Sequence, residues 1–389
     1  MKSRKRKVIH GIGVILILGL MATALPLQAA NEAPPRIYTF KEVGDIAQLN
    51  SSEIIRQKAT LVQAEQNKET QLTNYQNQVN QFYSPQDPDP DSEHDSGRDS
   101  VITESSLLGL QDSYESALNS YDDAEETMDK LKPKAAYQAQ KLYIDILMSE
   151  VQIRIQEKEI QRLKDEYELA KVKTAFGSFT QTQLTNAKAQ WENAVDTLDS
   201  LKETLKSNKN SMREYLNLAD TVEFGLEDPP VFGQYAKDFD EKEVLTEALK
   251  NYLSLKQAKR EVDELGERIR RYIGADEQSK VDQLSASGPG KDIALRETTQ
   301  SLTRTVENTM KEYRNLDANL DKAKENLYTA QRTYITARMK LGMGTATLNE
   351  VRNAEKAVLT AEKEVAQAQY NGYLGAKKVM LLKEGILVN

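Results

Sequence analysis

Between Val351 and Leu382 the apolar positions keep a seven-residue spacing. Val351, Val358, Val365, Gly372 and Val379 form one row, and Ala354, Ala361, Ala368, Gly375 and Leu382 form the complementary one. This is an a/d seam, and its small residues let a partner helix come close. Earlier in the chain Ala139, Leu142, Ile146, Ile153, Ile160, Leu163, Tyr167 and Ala170 draw a second seam. A seam sustained over several heptads points to coiled-coil packing rather than to an ordinary amphipathic helix. The pattern predicts helices over 40–83, 104–175 and 180–218, and again over 241–272, 291–341 and 346–384. A helix the length of 104–175 rises about 100 Å, so the predicted molecule is a rod. Pro133 is expected to kink or split that helix, because proline removes a backbone donor and crowds the preceding turn.

The seams are interrupted twice by one phrase: KVKTAFGSFTQTQLTNA at 171–187 and RMKLGMGTATLNEVRNA at 338–354. In register, Tyr167 falls on Tyr334, Ala170 on Ala337, Lys173 on Lys340, Gly177 on Gly344 and Thr180 on Thr347. Asn186 falls on Asn353, Ala187 on Ala354 and Ala194 on Ala361. A second match lies upstream, where Lys41, Glu42, Val43, Ala47, Asn50 and Lys58 recur as Lys242, Glu243, Val244, Ala248, Asn251 and Lys259. The chain is therefore an internal duplication. At each interruption it must reverse, with Gly177 or Gly344 able to take a positive φ at the helix end and a threonine able to cap the next helix. The expected organisation is a leader at 1–30 and a first repeat over 31–220 with an acidic loop at 84–103. A linker at 221–240 and a second repeat over 241–389 with a polar loop at 274–291 complete it.

Composition agrees with long helices: aromatic residues are 6% and charged residues 29% of the chain. Residues 1–30 join a basic MKSRKRK to an apolar stretch and a small-residue end, the layout of a secretory signal peptide. An uncleaved anchor is the alternative, since the apolar stretch sits at the edge of spanning length. Without this segment the formal charge moves from −8 to −13, because it holds five basic residues and no acidic one. Such an acidic chain is a poor nucleic-acid binder. There is no cysteine and there are two histidines, His10 and His94, which leaves little material for transition-metal sites or for Cys or His catalysis.

Asp87, Asp89, Asp91, Glu93 and Asp95 alternate like calcium ligands, but Ser92 replaces the turn glycine and Arg98 stands where a bidentate glutamate belongs. A solvated loop is the expectation there. GPG at 288–290 reads as a loop, and Trp191 as a seam or interface anchor. No enzyme, cofactor or metal site is expected.

The twice-given phrase Y-x9-G-x-x-T-x-x-[QE]-[LV]-x-x-A at 167–187 and 334–354 resembles the helical repeat of the TolC-like outer-membrane efflux proteins. So do the FKEVGDIAQLN-type opening of each copy and the closing YLGAKKVMLLKEG at 373–385. The resemblance covers nearly all of the chain after the leader, at roughly 36–83, 105–220 and 236–386. It implies an all-α, TolC-like fold: two tandem repeats of long antiparallel hairpins in coiled-coil packing, assembled as a homotrimeric α-barrel. It also implies a conduit for drugs, toxins or other cargo. The tips would meet a periplasmic adaptor (membrane-fusion) protein and, through it, an ABC-type or other export pump.

The tip residues that correspond here are Gly177, Thr180 and Gln183, and Gly344, Thr347 and Glu350. Asn353 stands where the family carries a carboxylate. The seam beside the second tip is Val351, Ala354, Val358, Ala361, Val365 and Ala368. Where some members carry a tyrosine and an arginine in the closing network, this chain has Leu341 and Ala346. The family places membrane β-hairpins at the two polar interruptions. A membrane strand needs about 9–11 alternating residues, which neither 84–103 nor 274–291 supplies. The resemblance thus implies an envelope protein, outer-membrane by kinship but reading as periplasmic or cell-wall by its missing strands. A structural coiled-coil spacer without a transport role is the alternative.

Overall fold

The computed structural model describes residues 36–83, 103–227 and 238–388. The leader, most of the acidic loop with its calcium-like aspartates and His94, and the middle of the linker lie outside the described residues.

Two long helices form the axis: α3 (Glu104–Ala175) and α7 (Gln278–Gly342). At 1.5 Å per residue the 72 residues of α3 extend about 108 Å. Toward one end, the tip end, α3 pairs with α4 (Gln181–Leu216) and α7 with α8 (Leu348–Lys383). Toward the other, the head, α3 pairs with α2 (Ser52–Tyr83) and α7 with α6 (Leu253–Gly274). The halves join side by side, through α3 against α8 near the tips and α3 against α6 in the head. The result is an elongated layer four helices wide.

The middle is closed by two short helices, α1 (Phe40–Asn50) and α5 (Glu241–Asn251), each of 11 residues. Their buried positions are the duplicated ones: Val43 and Ala47 in α1, Val244 and Ala248 in α5. Val43 and Ala47 enter a core with Tyr143, Ile144 and Ile146 of α3. Phe40 meets Tyr143 edge-on at 5.4 Å and Tyr373 at 5.7 Å, a geometry that favours aromatic pairs. Val244 and Ala248 enter a second core with Leu302, Val306 and Met310 of α7 and Val379 and Leu382 of α8.

Four sequence expectations change. The single helices over 40–83 and 241–272 are each broken at one equivalent place, after Asn50 and after Asn251. There Ser51 (ψ 144°) and Tyr252 (ψ 117°) leave helical geometry, so that α1 and α5 can turn onto the core. The loop expected over 274–291 shrinks to a turn at Ala275–Glu277, and Gly288-Pro289-Gly290 lies inside α7. Tertiary contact outweighs the local signal here: Val281 is buried and Lys291 pairs with Glu261 of α6 at 2.9 Å. Pro133 does not split α3; its neighbours Ala135 and Ala136 are buried in the packed middle.

Lastly, the all-α architecture gains one small addition, a two-stranded parallel sheet in which β1 (Arg36–Tyr38) pairs with β2 (Phe224–Leu226). The Tyr143 hydroxyl donates to the carbonyls of Tyr38, at 3.3 Å, and Glu227, at 2.5 Å. This seats the start of the linker beside the start of the described chain.

The head is laced by charge. Along the α3–α6 contact Lys256 reaches Glu126 (2.7 Å) and Arg260 reaches Asp123 (2.5 Å). Asn119 donates to Glu264 (2.7 Å), and Arg268 and Arg271 both bind Asp112 (2.9 Å each). Hydrogen bonds from Arg271 hold the Glu115 carboxyl below the usual range.

Candidate functional site: the two hairpin tips

Both tips are built from the same bonds. At the end of α3, Gly177 has φ +73°; its N–H donates to Thr174 O (3.0 Å) and Ser178 N–H to Lys173 O (2.8 Å). At the end of α7, Gly344 has φ +70°; its N–H donates to Leu341 O (3.0 Å) and Thr345 N–H to Lys340 O (2.9 Å). These are paired Schellman closures, which require a left-handed residue. The following helices start alike. Thr180 Oγ1 accepts from Gln183 N–H (3.3 Å) while Gln183 Oε1 accepts from Thr180 N–H (2.8 Å). Thr347 Oγ1 accepts from Glu350 N–H (3.2 Å) while Glu350 Oε2 accepts from Thr347 N–H (2.6 Å). Each is a capping box.

Six of the seven tip residues singled out by sequence thus have a structural duty in turning the chain, and they lie exposed at the hairpin ends. The seventh, Asn353, is exposed on α8. Of the seam residues, Val351, Ala354 and Ala361 are buried in the single chain, and Val358, Val365 and Ala368 are half-buried. The C-cap residues Phe176 and Met343, which sequence reading passed over, are exposed at 82% and 69%.

The sequence reading also missed what joins the hairpins. Along α3 and α8, Lys158 reaches Glu355 (2.6 Å), Lys356 reaches Glu159 (3.1 Å) and Arg352 pairs with Asp165. Asn349 Nδ2 donates to Glu166 (3.4 Å). Arg162 binds both oxygens of Glu159 (2.9 and 2.8 Å) and one of Glu166 (2.6 Å). The Arg162 bonds, with Lys356 added, pull the Glu159 carboxyl down to about 2. Spacing could not reveal these partners, because they lie roughly 190 residues apart in sequence, and loop closure over such distances leaves no periodic trace.

The hairpin interiors differ. In the first, Trp191 stacks on Tyr167 at 5.8 Å, the anchor role expected for it, and its buried Nε1 has no partner among the described residues. In the second, a groove of about 520 Å³ lies between α7 and α8 beside the tip, with Thr333, Thr336, Lys340, Ala346, Glu350 and Ala354 in its lining. Among the described residues no helix is long and apolar enough to cross a membrane.

No protein-family model matches this sequence, and no curated protein does. Solved structures do. The outer-membrane channel OprN superposes with a TM-score of 0.61 at 13% identity, covering 89% of this chain and 90% of that one. The outer-membrane protein VceC of Vibrio cholerae gives 0.57 at 11%, covering 90% and 97%. The CmeC outer-membrane channel of Campylobacter jejuni gives 0.60 at 10%, covering 89% and 85%. At such identities the likeness is one of fold.

Proposed function

We propose that this chain, which has the TolC-like fold of those outer-membrane channels, is a component of an exported efflux or secretion conduit. Three copies would close a helical barrel, and the hairpin tips would dock a periplasmic-adaptor-like (membrane-fusion) protein and, through it, an ABC-type or other export pump. The observation that carries this reading is the matched pair of tips. Two hairpins of different sequence end in the same closure and the same capping box, side by side at one end of the molecule. A rigid scaffold that presents two equivalent turns is suited to binding at those turns. The residues offered for docking are Gly177, Thr180, Gln183, Gly344, Thr347, Glu350 and Asn353.

The reading includes a non-enzymatic role, and a head that stands in water rather than in lipid. In the second repeat, the place where the resemblance puts a membrane hairpin is a short turn at Ala275–Glu277 followed by helix that bears the Lys291–Glu261 ion pair. That observation also favours the second reading, a structural spacer of the cell envelope. The chain lacks cysteine, so Thr347→Cys provides a single thiol for a short thiol-to-amine cross-linker in intact cells. Adducts with a membrane-bound adaptor or transporter support docking; adducts with wall components alone support the spacer.

A further inference from the structure

The contact between α3 and α8 opens partway along its length. Toward the tips it is filled by Lys158–Glu355 (2.6 Å), Lys356–Glu159 (3.1 Å) and the pairs beyond them. Toward the middle of the molecule it is closed by Gln140, which accepts from Lys377 and donates to Phe40 O (3.3 Å). Between these ends lies a groove of about 390 Å³, a volume in the range of small-molecule sites. By the helical rise from Ile155 to Ala175 it stands about 30 Å short of the first tip.

The floor of the groove is apolar. Met148, Val151 and Ile155 supply the α3 side, and Leu359 and Ala366 the α8 side. The α3 residues recur at intervals of three and four, so they form one stripe, and Met148 and Ile155 are buried. The edges are cationic. Arg154 and Lys158 stand on α3 and Lys363 on α8, against Glu362 as the one carboxylate of the lining. Lys158 is committed to Glu355. Lys363 donates to the neutral Gln152 Oε1 (2.6 Å), and among the described residues no carboxylate pairs with it or with Arg154.

We propose that this groove binds a single-chain amphiphilic anion, an alkyl carboxylate or alkyl sulfate, as a ligand that bridges the two repeats. Its chain lies on the stripe, which extends about 10 Å from Met148 to Ile155. Its head group takes charge-assisted hydrogen bonds from Arg154 and Lys363. A second copy of this chain is not the occupant. In the tip half α3 and α8 are the inner helices of the layer, and a neighbour joining at the α4 and α7 edges leaves the groove open. A partner's helix would overrun it, because bonds between α3 and α8 close both ends. The site is complete within one chain and depends neither on transport nor on docking at the tips.

The test uses decyl sulfate below its micellar concentration, on the purified chain carrying one thiol. Leu359→Cys puts that thiol in the floor, Val151→Cys puts it on the opposite wall, and Thr185→Cys puts it on exposed α4 as a control. Decyl sulfate is expected to slow alkylation by iodoacetamide at least tenfold at Leu359→Cys and Val151→Cys and to leave Thr185→Cys unchanged. Hexyl sulfate should need at least tenfold more ligand for the same protection, since each buried methylene adds to binding. Decyltrimethylammonium, with the same chain and the opposite charge, should protect less than twofold. Arg154→Gln with Lys363→Gln should raise the decyl sulfate concentration required at least tenfold. No protection at either floor position overturns the proposal, and so does equal protection by the cationic amphiphile. Protection of Thr185→Cys to the same degree, or indifference to the loss of Arg154 and Lys363, overturns it as well.

Discussion

Gly385 has φ +73°, and a Cβ there would overlap the Asn251 carbonyl and the Tyr252 nitrogen, which form the break between α5 and α6. Gly344 has nearly the same φ, yet a Cβ on it would meet nothing. The two positions separate conformational cost from steric cost. Gly344→Ala is expected to lose about 1–2 kcal/mol, the left-handed penalty alone. Gly385→Ala should lose clearly more, because backbone cannot yield as a side-chain end can. Urea denaturation of the two variants ranks them. Arg213 offers a second contrast. Its side chain is 8% exposed and donates to Val222 O (2.9 Å) and Asn210 Oδ1 (2.7 Å), while its ion-pair partner Glu223 is 75% exposed. Arg213→Met is expected to cost about 2–3 kcal/mol, the worth of the charge-assisted hydrogen bonds that the buried guanidinium makes to Val222 O and Asn210 Oδ1. Glu223→Gln should cost under about 1 kcal/mol, the worth of a solvated pair. Equal losses in a melting experiment would contradict this account.

At the scale of elements, the hairpins turn by capping and adhere by charge. Thr347→Val removes the acceptor for the Glu350 N–H and should cost about 1 kcal/mol. Glu350→Gln should be nearly neutral for the turn, because the first tip already uses Gln183 in that place. Part of the acid sensitivity lies in the α3–α8 contact. The folded-state pKa of Glu159 lies below its unfolded value. Its stabilising contribution is therefore complete above the ordinary carboxylate range and is lost as pH falls toward about 2. Glu159→Gln should lower stability near neutrality and flatten the stability–pH curve in that window; a variant curve parallel to the wild type throughout would exclude Glu159 as the cause. In the head, partial burial raises the Glu126 carboxyl, but bonds from Lys256 and Lys130 outweigh it and leave the pKa lowered. Glu126 therefore acts in the same direction.

For the whole molecule, the proposed conduit requires that several copies assemble and that the head remain in water. Sedimentation of residues 31–389 in detergent-free buffer is expected to give a soluble species of about three chains, as the three-copy closure under the proposed function requires. A monodisperse monomer would contradict the barrel, and a strict need for detergent would contradict the aqueous head. Exposed Leu169 and Val172 on α3 with its C-cap Phe176, and Ile335 and Met339 on α7 with its C-cap Met343, are apolar positions that such an assembly would have to accommodate.

The sequence alone determined whatever depends on neighbours close in the chain. Heptad spacing marked the long helices, and Gly177 and Gly344 with Thr180 and Thr347 marked the reversals, because caps and left-handed turns are satisfied within a few residues. The duplication exposed Val43, Ala47, Val244 and Ala248 as shared positions, which the fold then buries. Tertiary structure decided the rest. Only packing against α6 makes 278–291 helical across Pro289, only the two cores under α1 and α5 bend the chain after Asn50 and Asn251, and only the assembled hairpins bring Asp165 to Arg352. The open groove at the second tip also belongs here. It arises from Ala346 and Thr336 facing one space, and residues on two helices become neighbours only after the hairpin has folded.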